Sequence, residues 1–527
     1  MFKPQGLFRA TATLGAARIF YQLLVFVQFA YFLYAFGSTW ITDALIAAQT
    51  LPFLLSNLFN RGFTHTLIPI FTDFREKKGE EEAWRFSSSL ILFSLLALFC
   101  MMLVIIALAP ILIKSIAPGF SPEDQKLAAS LLRYLSVFLI LNGISGIPRC
   151  LFFAYRSFTV PAITSLFLSL SVIVSIFLLK DSIGIFAVVV GTIVGSSAQL
   201  AILWLCVNAG EKRFKFTFHF WHGGIKQFGA LIGPRFISIA IARLNVIVDR
   251  WFASFLGPAF ISALSYADRV CTAPMEFINA SFGAVIVPIL SRDAALGDKE
   301  KFRDRICQYI RIVIFVIMPV TIFFIILGKP LIQILFERGA FGGRGVPLTS
   351  AALGFYSIGL LPLAVGTILR GGFFALKDTV TPLKVGIVSF FLNIILDYIL
   401  VKYLSIRGLA LATSLVQGIS AILLLILIQK EIGPIGLREL NNVLGRVVLA
   451  GATMAIVVWF LSRGPVLIDF HDVLVERSFR LATAILFGGL IYFLTCRSLQ
   501  VKETAIVIAP FQKIGSRFRR RNDRREI

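Results

Sequence analysis

Long apolar stretches separated by short charged segments constrain the fold of this chain more than any other feature. Each stretch holds about 20 residues with few charges, which is enough to cross a hydrocarbon core of ~30 Å as a helix. Hydrophobic residues make up 57% of the 527 residues and charged residues 15%, too little polar material to cover a soluble protein. The sequence therefore predicts an all-α polytopic membrane protein with fourteen transmembrane helices, at residues 12–36, 43–59, 88–113, 128–154, 158–179, 183–208, 228–256, 261–290, 311–336, 347–374, 381–401, 407–429, 443–462 and 479–496.

The basic residues indicate how the predicted helices are oriented. The net charge is +23, and most Lys and Arg residues lie at the N-terminus or after even-numbered spans, as in 75–78, 212–215 and 299–305. Because basic loops stay on the cytoplasmic side, both termini are predicted to be cytoplasmic in a bacterial inner membrane. The basic tail at 517–525 would face anionic lipid. This distribution over loops argues against a nucleic-acid ligand.

A short motif occurs twice with the same internal spacing. Residues 62–69 read GFTHTLIP and residues 281–288 read SFGAVIVP, 219 positions later. Six predicted spans separate the copies, so the two have the same orientation, as in transporters built from parallel repeats. The alternative is chance similarity of two apolar hairpins. We predict two pseudo-symmetric six-helix lobes, a C-terminal helix pair and a basic cytoplasmic tail, at 1–215, 216–430, 431–500 and 501–527 respectively.

Charged residues inside the predicted spans mark a candidate binding cavity, because each costs at least ~2.5–3.5 kcal/mol unless it faces a cavity or a partner. Arg235, Arg243 and Arg250 are eight and seven residues apart, which gathers them along one side of a helix. The planar fork of arginine matches a phosphate or pyrophosphate headgroup. The alternative is that these arginines pair with carboxylates and tie helices together. The predicted substrate-binding residues are Arg269, Arg243, Arg235, Asp43, Asp268 and Arg18.

A second group of polar residues lies in the eleventh and twelfth spans. Asn393 and Asp397 are four residues apart and share a helix face, and Thr413 follows on the next span. With Asp249 they would offer the oxygen ligands that a small cation such as sodium prefers. The sequence therefore predicts a sodium site, and ordinary interhelical hydrogen bonding is the alternative.

The motifs of ATP hydrolysis and of common hydrolases do not occur. The chain has no GxxxxGK[ST], GxSxG or HExxH sequence. We therefore predict a transporter rather than an enzyme. Its energy would come from an ion gradient or from the membrane potential, which supplies about 2.3 kcal/mol per charge at 100 mV.

Several segments resemble those of a known transporter family along nearly the whole chain. The more specific ones are Tyr266-Ala-Asp-Arg269 and Glu337-Arg-Gly-Ala-Phe341, and the others occur in the same order as in the family. The chain resembles the MurJ/MviN lipid II flippases of the multidrug/oligosaccharidyl-lipid/polysaccharide exporter superfamily. The other supporting segments are Thr42-Asp43-Ala44, Leu51-Pro52, Gly62-Phe63 with Pro69, Gly233-Pro234, Asp249 with Phe252–Leu256, Phe282-Gly283 with Pro288, Asp378–Pro382 and Gly408–Ser414.

The resemblance implies what this chain would carry and how. A lipid-linked peptidoglycan precursor would be flipped to the periplasmic leaflet by alternating access, with Asp43 and Arg269 lining the cavity. Asp249, Asn393, Asp397 and Thr413 match positions that hold sodium in some family members. The last two predicted spans resemble the pair that shelters the lipid tail. Cell-wall synthesis proteins would be partners.

The chain also departs from the family pattern. The family carries cavity arginines in the first span where Gln22 and Gln28 stand here, and paired arginines in the second span where Ser56 and Asn57 stand. Gln28 is therefore added to the predicted substrate-binding residues. We hypothesise that Arg243 and Arg235 replace the missing positive charge.

Three alternative functions stay open. The cargo could be another polyprenyl-pyrophosphate glycan, the chain could be a cation-coupled drug exporter, or it could be a non-transporting cell-wall scaffold. An exporter would favour acidic and aromatic cavity residues over arginine, and a scaffold would not retain costly internal arginines.

Overall fold

The fold is entirely helical over the residues that the structure describes. The computed structural model describes residues 7–155, 157–209, 223–464 and 472–505, and within these ranges it contains fifteen α-helices, one 3-10 turn at Gly339–Phe341 and no strand. The helices are α1 Leu7–Phe36, α2 Trp40–Lys78, α3 Glu80–Ile116, α4 Pro122–Ala154, α5 Thr159–Ile183, α6 Phe186–Asn208, α7 Gly223–Ser254, α8 Phe260–Ala295, α9 Lys299–Phe336, α10 Gly342–Ile358, α11 Leu360–Ala375, α12 Val380–Leu404, α13 Ile406–Ile432, α14 Leu437–Arg463 and α15 Val473–Ser498.

Every predicted span coincides with a helix, and the tenth coincides with two. Helices α10 and α11 meet at Gly359 with a bend of 46°. Over the described residues, ten helices are long and apolar enough to cross a membrane, and the bent pair makes eleven. The other three of the fourteen predicted spans correspond to α1, α7 and α8, which are not among these eleven. The multi-pass helical class is confirmed, and the count of fourteen stays a prediction.

The helices extend beyond the apolar stretches at their charged ends. Helix α2 has 39 residues and continues to Lys78, and α9 begins at Lys299. At 1.5 Å per residue, α2 is roughly 58 Å long, about twice the hydrocarbon thickness. Hydropathy detects only the part of a helix inside the bilayer, so these extensions were not predicted.

The first compact unit comprises Met1–Ala263 and Phe336–Gly345. Helix α2 packs against α4, α3 and α7, and α5 packs against α6. The contact between α5 and α6 is close because α6 carries Gly191 and Gly195: a Cβ at Gly191 would lie 2.7 Å from Val172 Cα. Small residues four apart allow two membrane helices to approach in this way.

The second compact unit comprises Leu264–Leu335 and Val346–Ile527. Within it α13 packs against α11 and α12, and α14 packs against α15. The terminal pair is attached to α9: Tyr492 Oη donates a hydrogen bond of 2.8 Å to the Phe315 carbonyl. Arg311 of α9 also pairs with Glu439 and Glu503.

The internal repeat is visible in local geometry. Helices α5 and α12 both have 25 residues, and α12 begins and ends 221 positions after α5. Gly184 follows α5 with φ 56° and ψ −132°, and Ser405 follows α12 with φ 53° and ψ −131°. Two helical hairpins thus turn with the same backbone conformation, as repeated units would.

One predicted boundary and most of one predicted segment fall outside the described residues. The division between the lobes at 215 and 216 lies in the range 210–222, and most of the basic tail lies beyond residue 505. The four predicted segments stay a prediction.

Candidate functional site

Asp43, a predicted binding residue, lies in the first turn of α2 and is 1% exposed. Its Oδ2 accepts a hydrogen bond of 2.7 Å from the Ala259 N–H, and its Oδ1 accepts one of 2.7 Å from the Ser262 N–H. Ala259 immediately precedes α8, and Ser262 is its third residue. The carboxylate therefore caps α8 from another helix, where backbone N–H groups lack partners and a negative charge is favoured.

Two serines extend this contact between the start of α2 and the start of α8. The hydroxyl oxygens of Ser38 and Ser262 lie 2.7 Å apart, and Ser38 Oγ donates to the Ala259 carbonyl at 3.2 Å. Both side chains are buried. Ala259 has a φ of 78°, an unfavourable value for a residue with a side chain, so these bonds hold a strained turn.

Arg250 on α7 contacts the same face of α2, closer to the C-terminus of α2 than Asp43. Its Nη1 donates to the Ile46 carbonyl at 3.1 Å and to Thr50 Oγ1. Beside it lies a pocket of roughly 180 Å³. The pocket is lined by residues of α2 and α7: Gln49, Thr50, Phe53, Leu54, Asn57, Leu58, Arg61, Val246 and Arg250.

The other predicted substrate-binding residues are distributed over both units. Arg18, Arg235 and Arg243 lie on α1 and α7, and their side chains fall outside the described part of the chain. Gln28 on α1 is half-buried. Asp268 and Arg269 are exposed on the portion of α8 that belongs to the second unit. Their roles as ligands of a substrate stay predictions.

The predicted cation ligands Asn393 and Asp397 meet on α12. Both are fully buried, and Asn393 Nδ2 donates to Asp397 Oδ2 at 2.5 Å. The amide oxygen and the second carboxylate oxygen are then hard donors of the kind that sodium takes. Thr413 on α13 donates to the Leu409 carbonyl at 3.2 Å, and Asp249 is half-buried on α7 of the other unit. Over the described residues, no three His, Cys, Asp or Glu side chains are grouped to hold a metal ion.

Comparison with known proteins decides the family. The model of the family "Lipid II flippase MurJ" matches residues 32–465, most of the chain. The chain belongs to the MurJ family. The resemblance found in the sequence is therefore confirmed, and the protein is a transporter rather than an enzyme.

MurJ relatives match over most of their length. A probable lipid II flippase MurJ of Rickettsia prowazekii is 29% identical over 417 residues, covering 78% of this chain and 81% of the relative. The lipid II flippase MurJ of Burkholderia cenocepacia is 24% identical over 435 residues, covering 81% and 84%.

Solved structures support the MurJ fold. A lipid II flippase MurJ in an inward closed conformation has a TM-score of 0.78 at 24% identity, covering 92% of this chain and 99% of that one. An inward-facing MATE multidrug transporter has a TM-score of 0.66 at 15% identity, covering 78% and 94%. At these identities the similarity concerns the fold alone.

Two half-buried arginines were not predicted from the sequence as candidate site residues. Arg149 on α4 is half-buried, and no acceptor among the described residues reaches its buried Nε. Arg370 on α11 donates to Thr367 Oγ1 at 3.3 Å. Each is followed by Phe-Phe-Ala and then by a proline, at 152–161 and 373–382, and the two arginines are 221 positions apart. This second copy of the repeat was the signal that could have identified them.

Proposed function

We propose that this chain is a lipid II flippase, which moves the lipid-linked peptidoglycan precursor from the cytoplasmic to the periplasmic leaflet of a bacterial inner membrane. The observation that carries the proposal is the family match over residues 32–465. Relatives that cover four fifths of their own length in the alignment bear the same name. The apolar helices support a multi-pass protein, and the basic loops support the proposal that both termini lie in the cytoplasm.

The contact between Asp43 and the start of α8 would belong to one state of the transport cycle. Both carboxylate oxygens and two serines hold the α8 N-terminus, and the surrounding residues are buried. By the predicted topology this contact lies on the periplasmic side. Alternating access would require it to form in the state closed on that side and to open in the other, so it biases the equilibrium between them.

Arginines would supply the binding energy for the headgroup. Arg269, Arg243 and Arg235 can each present two parallel donors to a phosphate. The polar sugar and peptide would occupy the cavity while the polyprenyl tail stays in hydrocarbon near α14 and α15. Arg243 and Arg235 compensate for Gln22 and Gln28, which replace the arginines usual in the family.

A cation would couple transport to an ion gradient. Asn393 and Asp397 would hold it, and Thr413 and Asp249 are its other proposed ligands. The buried amide and carboxylate oxygens support this proposal, since sodium prefers such donors. Bound sodium would supply positive charge that offsets the buried carboxylate.

Two further partners are proposed, one from the positive charge of the C-terminal tail and one from the family. Anionic lipid would contact the basic tail at 517–525, and cell-wall synthesis proteins would supply and consume the cargo.

A depletion experiment tests the function. The native lipid II flippase of a tractable bacterium is depleted, this gene is supplied, and lipid II accessible on the periplasmic face is quantified. We expect rescue by the unchanged chain and loss of rescue by the double variant Arg235→Gln and Arg243→Gln. No rescue by the unchanged chain, with the protein confirmed in the membrane, would favour another lipid-linked glycan or a scaffold role. Rescue by the double variant would refute the compensation by α7.

A further inference from the structure

Three turns of the first unit meet at Gly37 and Ser38, the two residues that follow α1. Ser38 donates a hydrogen bond to the Ala259 carbonyl in the turn between α7 and α8. Gly37 lies against Ala340 in the turn between α9 and α10, which we call the α9–α10 turn and which comprises Phe336–Phe341. All of these residues belong to the first compact unit. Two adjacent residues therefore hold two other turns of the chain.

The contact between the end of α1 and the α9–α10 turn depends on a glycine from each side. A Cβ at Gly37 would lie 2.7 Å from the Ala340 carbonyl carbon, and one at Gly339 would lie 2.6 Å from Tyr34 Cδ2. Real Cβ atoms do not approach other atoms so closely, so the two backbones pass each other only because both residues are glycine. Their φ values of 65° and 60° also favour glycine.

Two buried phenylalanines fix the ends of the α9–α10 turn. Phe336 is 2% exposed and Phe341 1%, and their ring centroids lie 5.9 Å apart. The Phe336 ring also meets Phe29 of α1 edge to face at 5.3 Å, a favourable geometry for two aromatic rings. Between these anchors Ala340 is exposed, whereas Gly37 is buried beneath it. The turn thus covers the residues that follow α1.

The two contacts of Gly37 and Ser38 are made by segments that continue into the second unit. The residues before and after Phe336–Gly345 belong to that unit, and so does α8 after Ala263. By the predicted topology these turns lie on the periplasmic side. Alternating access moves the lobes of a transporter relative to each other, so such a movement would act on both contacts.

We propose that Gly37 and Gly339 are positioning residues for transport, which let the α9–α10 turn close over the end of α1, and that this turn leaves α1 when the periplasmic side opens. The inference rests on the proposed function for the direction of transport. It adds to the contact of Asp43 a further turn and two residues. It also gives a role to Glu337–Phe341, a segment that was recognised only by its resemblance to the family.

The test measures access to Ser262, which is fully buried where α8 meets Ser38. The six cysteines of the full-length chain are replaced, Ser262→Cys is introduced, and labelling by a maleimide is timed in nanodiscs. Gly37→Ala and Gly339→Ala are compared with Gly184→Ala. Gly184 has a similar φ of 56°, but an added Cβ there meets nothing within 4 Å. Backbone strain is therefore matched, and only the contact differs.

Labelling should be about 10-fold faster or more in Gly37→Ala and Gly339→Ala, because overpacking destabilises the closed state and raises the population of the open one. Gly184→Ala should label at the rate of the chain that carries the reporter alone. A labelling rate in Gly339→Ala no higher than in Gly184→Ala would overturn the proposal.

A second reporter separates opening of the turns from unfolding. A parallel set of variants keeps Cys150 alone, since this residue is 1% exposed on α4 and lies outside the turns. Release of the α9–α10 turn leaves Cys150 protected. A rise in its labelling equal to that of the Ser262→Cys reporter would assign the effect to unfolding and overturn the proposal.

A milder variant decides the test if the alanine variants do not fold. Phe336→Leu removes the aromatic contact with Phe29 without adding bulk, and it should also speed labelling of the Ser262→Cys reporter. An unchanged rate in Phe336→Leu would contradict the role of the turn.

Labelling needs no cargo, so this experiment separates the turn from the transport function. If the unchanged chain rescues lipid II export while the glycine variants label slowly, the role of the turn fails and the function stands. If rescue fails while the glycine variants label faster, the function fails and the role of the turn stands.

Discussion

At the residue scale, Asp43 shows how one carboxylate can fix the ends of two helices. It lies in the first turn of α2 and caps the N-terminus of α8, across 216 to 219 positions of sequence. Its position in the first turn of α2 also places negative charge near the N-terminus of its own helix. A charge that would be costly alone is thereby satisfied by backbone donors.

Asp43→Asn should destabilise the protein by about 1–3 kcal/mol, because the amide NH₂ would face a backbone N–H and leave a buried donor unpaired. Thermal unfolding in detergent would show a lower midpoint than for the unchanged chain. Asp73→Asn is the matched control on the same helix, since Asp73 is exposed and pairs only with Lys77 at 2.7 Å among the described residues. Equal midpoints for the two variants would contradict the capping role.

At the element scale, the turn between α5 and α6 can be compared directly with the turn between α12 and α13. The two turns have nearly the same φ and ψ, but one holds glycine and the other serine. A positive φ costs a residue with a Cβ about 1–3 kcal/mol, and glycine avoids this strain.

Ser405→Gly should therefore raise the thermal midpoint and Gly184→Ser should lower it. A Cβ at Gly184 would meet nothing within 4 Å, so the second effect would come from backbone strain rather than from crowding. Both variants can be compared by fluorescence-detected size exclusion after heating. A shift of the same sign in both would show that the turns are not equivalent.

The contact of α6 with α5 gives a further prediction. A Cβ at Gly191 would lie 2.7 Å from Val172 Cα, closer than real side chains approach a backbone. Gly191→Ala should thus lower stability by about 1–3 kcal/mol through overpacking. Gly386→Ala on α12 is the control, because a Cβ there meets nothing within 4 Å. Both are measured by the same heating assay, and an unchanged midpoint in Gly191→Ala would contradict the close packing.

At the scale of the whole molecule, ion pairs in the second unit join residues that are far apart in the sequence. Arg311 on α9 pairs with Glu439 before the apolar part of α14 and with Glu503 after α15 at 3.1 Å. Glu503 is 6% exposed. The terminal helix pair is thus attached at both of its ends.

Arg311→Leu should cost about 3–5 kcal/mol, since it leaves the buried Glu503 without its cation. Lys301→Gln is the control, because Lys301 and Asp298 form an exposed pair worth little. Limited proteolysis should release α14–α15 more readily in the first variant than in the control. Equal rates would contradict this attachment.

The sequence predicted the elements better than it predicted their contacts. Apolar runs located the described helices, with α10 and α11 predicted as one span, because hydropathy is a local property. Charged extensions such as the end of α2 were not detected. Asp43 was predicted as a cavity residue, and its capping of Ala259 and Ser262 could not be foreseen because the partners lie in another helix. The pocket that Arg61 shares with Arg250 was not predicted, since it requires the packing of α2 against α7.

The central claim is transport of lipid II, and reconstitution tests it most directly. The full-length protein is placed in proteoliposomes with fluorescent lipid II, and an impermeant quencher reports how much lipid reaches the outer leaflet over time. The account predicts exposure well above that of protein-free vesicles, and a reduced rate for Asp43→Asn. Rates equal to those of empty vesicles, with folded protein and an imposed sodium gradient and membrane potential, would contradict it.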